Sequence, residues 1–256
     1  AHRFDGGIMR IVVLGGTGQM GKLVVEQAKI GGHDVVAAAR STGVDISTGA
    51  GLDEAFVGAD VVVDVSDHVT NSAKKAIEFF ETAAKNIAAA EARAGVKHHV
   101  LLSIVNCDDP RLKSFGYYQG KAAQERAVEA SSIPFTILRS TQWFEFGEKT
   151  IALFGLGPVA MVPRMRSQPV AAKTVAEALV TCAQNGPTGR APDLAGPEVL
   201  EIPAMTREIL KYRGRRKWLI PISMPGAGKA MKGGALLPAP GSTTAGPTLE
   251  TWLHEN

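Results

Sequence analysis

The chain has 256 residues, of which 45% are apolar and 21% charged, an ordinary composition for a globular protein with a sizeable core. The net charge of +3 is too small to indicate a nucleic-acid partner, and no apolar run reaches the roughly 18 residues that a membrane span needs. Cys107 and Cys182 form no CxxC pair, so we expect reduced thiols and a cytoplasmic location. Residues 1–8 fit no structural pattern and are interpreted as a vector-derived leader before Met9.

Short apolar segments alternate with amphipathic ones through the first half of the chain. The predicted strands cover residues 10–14, 34–39, 44–46, 59–65, 99–104 and 134–138. The first predicted helix runs from the glycine-rich turn to residue 30, and further helices are predicted at 52–57, 71–93 and 116–130. Asn71 is the predicted cap of the helix at 71–93, and Gly95 closes it. This alternation predicts an α/β fold with a doubly wound, mostly parallel sheet of the Rossmann type.

The alternation weakens after residue 141, where Pro and Gly become frequent and one clear helix remains at 172–184. We predict a Rossmann-type domain over 9–141 and a smaller lobe over 142–256, with 169–184 returning to the Rossmann core. The basic run 211–217 is interpreted as a solvated turn or helix end.

A glycine-rich loop follows the first strand and opens the first helix. Its glycines at positions 15, 18 and 21 permit a tight turn, close approach to a pyrophosphate and close packing of helix on strand. The alternative is a glycine turn without a ligand. The candidate cofactor contacts in and near this loop are Gly15, Gly16, Thr17, Gly18, Gln19, Met20, Gly21 and Ser66.

The end of the second strand indicates which dinucleotide is bound. Many NAD binders place a carboxylate there, whereas this chain has Arg40, Ser41 and Thr42. Arg40 can pair with a 2′-phosphate and Ser41 can donate to it, which favours NADP(H) over NAD(H). The alternative is an arginine exposed at a strand end.

Three residues predict proton-transfer chemistry. Ser103 ends a strand, and Tyr117 and Lys121 are four residues apart on the helix that follows, so they share a face. An ammonium group lowers the pKa of a nearby phenol, and a serine hydroxyl can orient a substrate oxygen. Two alternatives are that Tyr118 is the acid, or that Tyr117 packs and Lys121 is solvated. The candidate substrate contacts are Asn106, Trp143 and Phe144, and no metal site is predicted.

The sequence resembles the atypical branch of the short-chain dehydrogenase/reductase superfamily, and within it the NmrA-like NAD(P)-binding proteins. The resemblance lies in the glycine loop, in 88–96 before the strand of Ser103, in 137–144, and in segments of the C-terminal part. It implies a Rossmann sheet, bound NADP(H) and a variable substrate lobe.

Two functions are compatible with these patterns. The first is an NADPH-dependent oxidoreductase that transfers hydride to a small carbonyl, enone or quinone. The alternative is a non-catalytic NADP(H)-binding redox sensor of the NmrA type. In either case we expect no nucleic-acid or membrane partner, and a monomer or homodimer; the enzyme would take a small-molecule substrate.

Overall fold

The computed structural model describes residues 7–70 and 72–255, with the backbone alone at 153 and 154. The predicted cap Asn71 and residues 1–6 of the predicted leader lie outside the described residues. The chain divides into two compact units. Unit 1 takes the described residues up to Ser103, with Gly116–Arg139 and Val175–Ala191, and unit 2 takes Ile104–Phe115, Ser140–Thr174 and the described residues from Pro192.

The strands are β1 (Arg10–Leu14), β2 (Asp34–Ala38), β3 (Val61–Asp64), β4 (His98–Ile104), β5 (Phe135–Ser140), β6 (Gly155–Leu156), β7 (Val159–Pro163), β8 (Arg166–Ser167), β9 (Gly189–Arg190), β10 (Leu194–Ala195), β11 (Leu200–Glu201), β12 (Trp218–Ile222) and β13 (Thr243–Thr244). The helices are α1 (Gln19–Ile30), α2 (Leu52–Ala55), α3 (Ala73–Ala94), α4 (Gly116–Glu129), α5 (Glu145–Phe154), α6 (Ala172–Asn185), α7 (Ile202–Tyr212), α8 (Gly228–Lys232) and α9 (Leu249–Glu255). Short 3-10 turns occur at Arg40–Thr42 and Pro110–Leu112.

Unit 1 contains a parallel sheet in the order β5-β4-β3-β1-β2, with β9 pairing in parallel with β5. β1 is central, so that Val12 lies opposite Val36 of β2 and Val62 of β3. The side chains of β1, β3 and β4 are almost all buried, which is typical of parallel strands that helices cover on both faces. The predicted Rossmann-type α/β fold is confirmed.

The predicted strand at 44–46 is wrong. The side chain of Asp45 accepts hydrogen bonds from the backbone nitrogen and hydroxyl of Ser47, at 2.9 and 2.6 Å, which turns the chain on itself. Asp45 makes an isolated antiparallel bridge with Ala50 instead of joining the sheet. Burial of Val44 therefore comes from packing of a turn, and an apolar pattern of three residues cannot distinguish the two cases.

Two glycines on α4 let this helix lie directly against α3. A Cβ added at Gly116 would be 2.6 Å from the backbone nitrogen of Ala73, and one at Gly120 would be 2.7 Å from the ring of Phe80. Helix α3 begins at a cap, Ser72, whose hydroxyl accepts from the nitrogen of Lys75 at 3.3 Å. The distance between α3 and α4 is thus set by contacts that α3 makes with the backbone of α4.

Unit 2 contains a three-stranded sheet in the order β12-β7-β6, in which β12 is parallel and β6 antiparallel to β7. The sequence indicated one clear helix after residue 141, whereas α5, α7 and α9 also form here. Helix α5 was missed because it contains Gly147, a helix-weakening residue. This glycine is required where α5 meets α7, since a Cβ there would be 2.8 Å from the side chain of Ile209.

Along the described chain, no helix combines the length and the apolar character that crossing a bilayer requires.

Asn86 on α3 offers a test of how the turn at Asp45 is held. Its Nδ2 donates to the carbonyl oxygens of Ile46 and Ser47, at 2.9 and 3.1 Å. We expect Asn86→Ala to lower the free energy of unfolding by about 1–3 kcal/mol, because it leaves two half-buried carbonyls without their donor. Urea unfolding measures this. Asn185→Ala, at an exposed residue, is the control and should change the free energy of unfolding little. Equal stability of Asn86→Ala and the parent chain would contradict the view that Asn86 holds the turn.

Candidate cofactor and active site

The loop from Gly15 to Gly21 is closed by contacts that only glycine allows. Gly15 has a φ of +76°, and a Cβ at Gly16 would be 2.8 Å from the Cα of Ala37 on β2. A Cβ at Gly21 would be 2.0 Å from the carbonyl oxygen of Gly15. The start of α1 therefore packs directly on the end of β1, as the glycine spacing predicted.

The first turn of α1 presents backbone N–H groups without competition from side chains. Gly18 precedes the helix in an extended conformation and provides no side-chain cap, and the first turn holds no acidic residue. The first helical bond closes at Lys22, whose nitrogen donates to the oxygen of Gly18 at 3.0 Å. The N–H groups of Gln19, Met20 and Gly21 thus precede any helical acceptor, which is the arrangement that binds phosphate.

Ser66 lies beside this loop, two residues beyond the end of β3. A Cβ on Gly15 would be 3.1 Å from the Cα of Ser66, and the backbone nitrogen of Ser66 donates to Asp64 at 2.9 Å. Its hydroxyl is buried and has no hydrogen-bond partner among the described residues. A buried hydroxyl without a partner is unfavourable, so an oxygen of a bound dinucleotide would fit here.

The 3-10 turn at Arg40–Thr42 places hydroxyl groups and a cation next to the loop. The hydroxyl of Ser41 donates to that of Thr17 at 3.3 Å, and the nitrogen of Ala39 donates to the hydroxyl of Thr42 at 2.9 Å. Arg40 is exposed. The turn contains a cation and no carboxylate, which suits a 2′-phosphate better than a pair of ribose hydroxyls.

Tyr117 and Lys121 share one face of α4, where both contact Phe80 of α3. The Tyr117 ring meets Phe80 edge-on with centroids 6.3 Å apart, and the Nζ of Lys121 lies 5.1 Å from the same centroid. Tyr117 is half-buried, whereas Tyr118 is only 3% exposed. Of the two candidate acids, Tyr117 is the one whose side chain reaches the surface.

Lys121 is buried within a polar network, so the alternative of a solvated lysine is wrong. Its Nζ donates to the carbonyl oxygen of Leu102 at 2.9 Å and to the side-chain oxygen of Gln124. The amide nitrogen of Gln124 donates in turn to the buried carboxylate of Asp64 at 3.0 Å. Sequence reasoning missed Asp64 and Gln124, although a carboxylate within the apolar run 61–65 was a signal.

Ser103 lies in a second polar cluster, which is centred on Glu125. Burial alone would raise the pKa of the Glu125 carboxyl, but hydrogen bonds from Arg139 and Ser103, with the charge of Arg139, lower it to about 2. Arg139 binds Glu125 through two nitrogens, at 2.8 and 2.6 Å, and Arg190 adds a bond of 2.8 Å. An ionised carboxylate only accepts, so Ser103 donates its one proton to Glu125.

The three predicted substrate contacts all fall in unit 2. Asn106 has a φ of +55°, and its Nδ2 donates to the oxygens of Ala235 and Leu237 at 3.0 and 2.7 Å. The indole nitrogen of Trp143 donates to the hydroxyl of Ser140 at 3.1 Å. Phe144 is fully buried and packs on Trp252 with ring centroids 5.3 Å apart, as a core residue does. These contacts give Asn106 and Phe144 roles in holding unit 2 together.

In the part of the chain that the structure describes, His, Cys, Asp and Glu side chains form no group of three or more that could hold a metal ion.

Residues 41–186 match the model of a family described as NAD(P)H-binding. A reductase from Streptomyces griseus, named (4-alkanoyl-5-oxo-2,5-dihydrofuran-3-yl)methyl phosphate reductase, is 31% identical over 228 residues, which cover 80% of this chain and 74% of that protein. Two solved structures share the fold. The dTDP-4-dehydrorhamnose reductase of Bacillus anthracis, in complex with NADP, has a TM-score of 0.73 at 16% identity, covering 97% of this chain and 98% of that one. An NADPH-dependent quinone oxidoreductase of Escherichia coli has a TM-score of 0.66 at 18% identity, covering 96% and 98%.

Glu125 makes a pH-dependent contribution to stability. Its folded-state pKa of about 2 lies below the ordinary 4.5, so the contribution is complete above about pH 4.5 and is lost as the pH falls through 2. We expect Glu125→Gln to lower the free energy of unfolding at pH 7 by about 3 kcal/mol, because it leaves Arg139 without its buried counterion. This difference should shrink between pH 4.5 and pH 2 in urea titrations.

Glu129→Gln is the matched control, since Glu129 also pairs with Arg190 but on the exposed side of the helix. It should change stability by no more than about 1 kcal/mol. A difference between Glu125→Gln and the parent chain that stays constant with pH would contradict the lowered pKa of Glu125.

Proposed function

Because the chain belongs to the NAD(P)H-binding family, we propose that it is an oxidoreductase of the short-chain dehydrogenase/reductase type that uses NADPH to reduce a small carbonyl, enone or quinone substrate. The observation that carries this proposal is the glycine loop, which leaves the N–H groups at the start of α1 without a side-chain cap or an acidic neighbour in the first turn. The unpartnered hydroxyl of Ser66 and the turn at Arg40–Thr42 flank it.

In this proposal the glycine loop, Ser66 and the turn at Arg40–Thr42 each bind a different part of the dinucleotide. The N–H groups of Gln19 to Gly21 hold the pyrophosphate, and Ser66 donates to the bound dinucleotide. Arg40 and Ser41 hold the 2′-phosphate and so select NADPH over NADH. When bound, the reduced nicotinamide supplies the hydride, and the chain must supply the proton and the orientation of the substrate.

Tyr117 is the proposed proton donor. It is the half-buried tyrosine of the pair, and it lies on the α4 face that also carries Lys121. Lys121 holds this turn of α4 through its bonds to Leu102 and Gln124, and its ammonium favours the phenolate that remains after proton transfer. Ser103 acts here as a positioning residue, because its hydroxyl proton is given to Glu125 and is not offered to a substrate oxygen.

The enone class has specific support among the proposed substrates. The relative from Streptomyces griseus is named for a 5-oxo-2,5-dihydrofuran that carries an alkanoyl group, and such a ring contains a double bond conjugated to carbonyl groups. Hydride addition to a conjugated double bond produces an enolate, which a tyrosine can protonate. An enone panel is therefore the first choice of substrates, followed by quinones and simple carbonyls.

Arg40→Ala tests the cofactor preference. It should weaken NADPH binding by about 10- to 100-fold, because a charge-assisted bond to the 2′-phosphate is lost, while NADH binding stays within a few-fold. Fluorescence titration with both dinucleotides measures this. Arg126→Ala, an exposed arginine on α4, is the control and should leave both affinities unchanged. Equal weakening of NADPH and NADH in Arg40→Ala would contradict a 2′-phosphate contact.

Tyr117→Phe tests the proton donor. Loss of the hydroxyl should lower turnover by about 10²- to 10⁴-fold while the affinity for NADPH stays within a few-fold. Tyr118→Phe, which removes the hydroxyl of the buried neighbour, should keep turnover within a few-fold. The reverse pattern would assign the acid to Tyr118. Tight NADPH binding by the parent chain without consumption on any substrate class would overturn the enzyme and favour the redox sensor.

A further inference from the structure

A small sheet in unit 2 exposes an unusually apolar face. The most exposed of its large side chains are Leu156 of β6 and Trp218 of β12, at 86% and 78%, followed by Ile220 of β12 and Met161 of β7 at 49% and 44%. The register makes them neighbours, since Leu156 and Trp218 both lie opposite Val159, and Ile220 lies opposite Met161. Single exposed apolar residues are common, but a contiguous group marks an interaction surface.

Cations without acidic partners border this face. Arg215 and Arg216 lie in the turn that leads to β12, just before Trp218, whereas Arg207 and Lys211 lie one turn apart on α7, which packs on the other face of the sheet. The side chain of none of the four makes an ion pair or hydrogen bond among the described residues. Together with Lys217 and Trp218 they line an open groove of about 820 Å³. We call Arg215, Arg216 and the four apolar side chains the basic apolar face.

Two other cations of the same basic run, Arg213 and Lys217, do have partners. Arg213 lies within the same basic run, yet it binds the carboxylate of Glu148 at 3.2 Å and stacks over Trp252. The ammonium group of Lys217 donates a hydrogen bond to the carbonyl oxygen of Gly157, at 2.6 Å, and so holds the turn that follows Leu156. The run 211–217 is the solvated helix end and turn that the sequence predicted, and within it Arg213 and Lys217 also hold neighbouring segments in place.

We propose that the basic apolar face docks on a bilayer that contains anionic phospholipid. Such a surface offers phosphate groups to Arg215 and Arg216, and acyl chains to Leu156, Met161 and Ile220, while tryptophan favours the boundary between the two. A nucleic acid would use the cations and Trp218 but would leave the aliphatic side chains uncovered. A symmetric pair of chains would bury this face against its own copy and bring both sets of cations into one interface in which the face itself supplies no carboxylate.

This proposal is independent of the reductase reaction, and it departs from the expectation that no membrane partner exists. That expectation rested on the absence of a long apolar run, whereas a peripheral surface needs only a few side chains from separate segments. Leu156 and Trp218 are 62 positions apart in the sequence, so their adjacency follows from the pairing of β6 and β12 with β7.

Vesicle binding tests the proposal. The full chain should bind vesicles of phosphatidylcholine with about 30 mol% phosphatidylserine, and bind pure phosphatidylcholine at least tenfold more weakly, with loss of binding in about 0.5 M salt. The double substitution Arg215→Ser/Arg216→Ser should reduce partitioning by about 30-fold, since each cation near an anionic surface contributes about fivefold. Arg126→Ser/Lys29→Ser is the control with the same charge change on unit 1, and should retain most of the binding.

Fluorescence quenching shows whether the apolar side chains enter the bilayer. Trp143 is half-buried and Trp252 is buried, so brominated acyl chains should quench mainly Trp218. Trp218→Phe should abolish that quenching, and Leu156→Ser should weaken binding at least tenfold. Ile30→Ser, at an apolar residue of unit 1 that is 72% exposed, is the control. NADPH binding should be unchanged in every variant, which reports on folding.

Three outcomes would overturn the proposal: no binding to anionic vesicles, equal loss with the control charge variant, or tighter binding of a single-stranded oligonucleotide that abolishes vesicle binding. A shift of the free chain to a stable dimer that Trp218→Phe dissociates would assign the face to a second copy.

Discussion

Unit 1 is organised around a steric contact at the point where β1 turns into α1. The backbone from Gly15 to Gly21 passes so close to itself that a side chain at either glycine would collide with it or be strained. This contact fixes the direction in which α1 leaves the sheet, and with it the direction of the first N–H groups of the helix. Ser66 and the turn at Arg40–Thr42 follow β3 and β2, the two neighbours of β1, so sheet order brings them to the same loop.

The buried polar residues of α4 cost desolvation free energy, and their hydrogen bonds to the sheet offset that cost. Lys121, Gln124 and Glu125 are all buried, and each is matched by a partner from the sheet: Leu102, Asp64 and Arg139 respectively. A buried polar group is tolerated only when its hydrogen bonds are made, so these pairings favour one rotation and one height of α4. That rotation is what places the ring of Tyr117 at the surface.

Most helices and strands of unit 1 could be predicted from the sequence, because the strands are short apolar runs and the helices have clear ends. The glycine spacing predicted the loop at residues 15–21, because its conformation depends on steric contacts that only glycine permits. The partners of Lys121 and Ser103 could not be predicted, because Gln124, Glu125 and Asp64 come together through packing of α4 on the sheet. In unit 2, α5 contains a glycine that local propensity counts against a helix, and only its contact with Ile209 explains it.

The backbone contact between α3 and α4 also determines how this region can open. Where two helices meet through flexible side chains, one helix can shift or fray while the other stays in place. At Gly116 and Gly120 helix α4 contributes no side chain to the contact, because the backbone of Ala73 and the ring of Phe80 lie directly against the backbone of α4. The two helices should therefore protect their amide hydrogens from exchange as one cooperative unit, so that motions of surrounding loops leave the tyrosine in place.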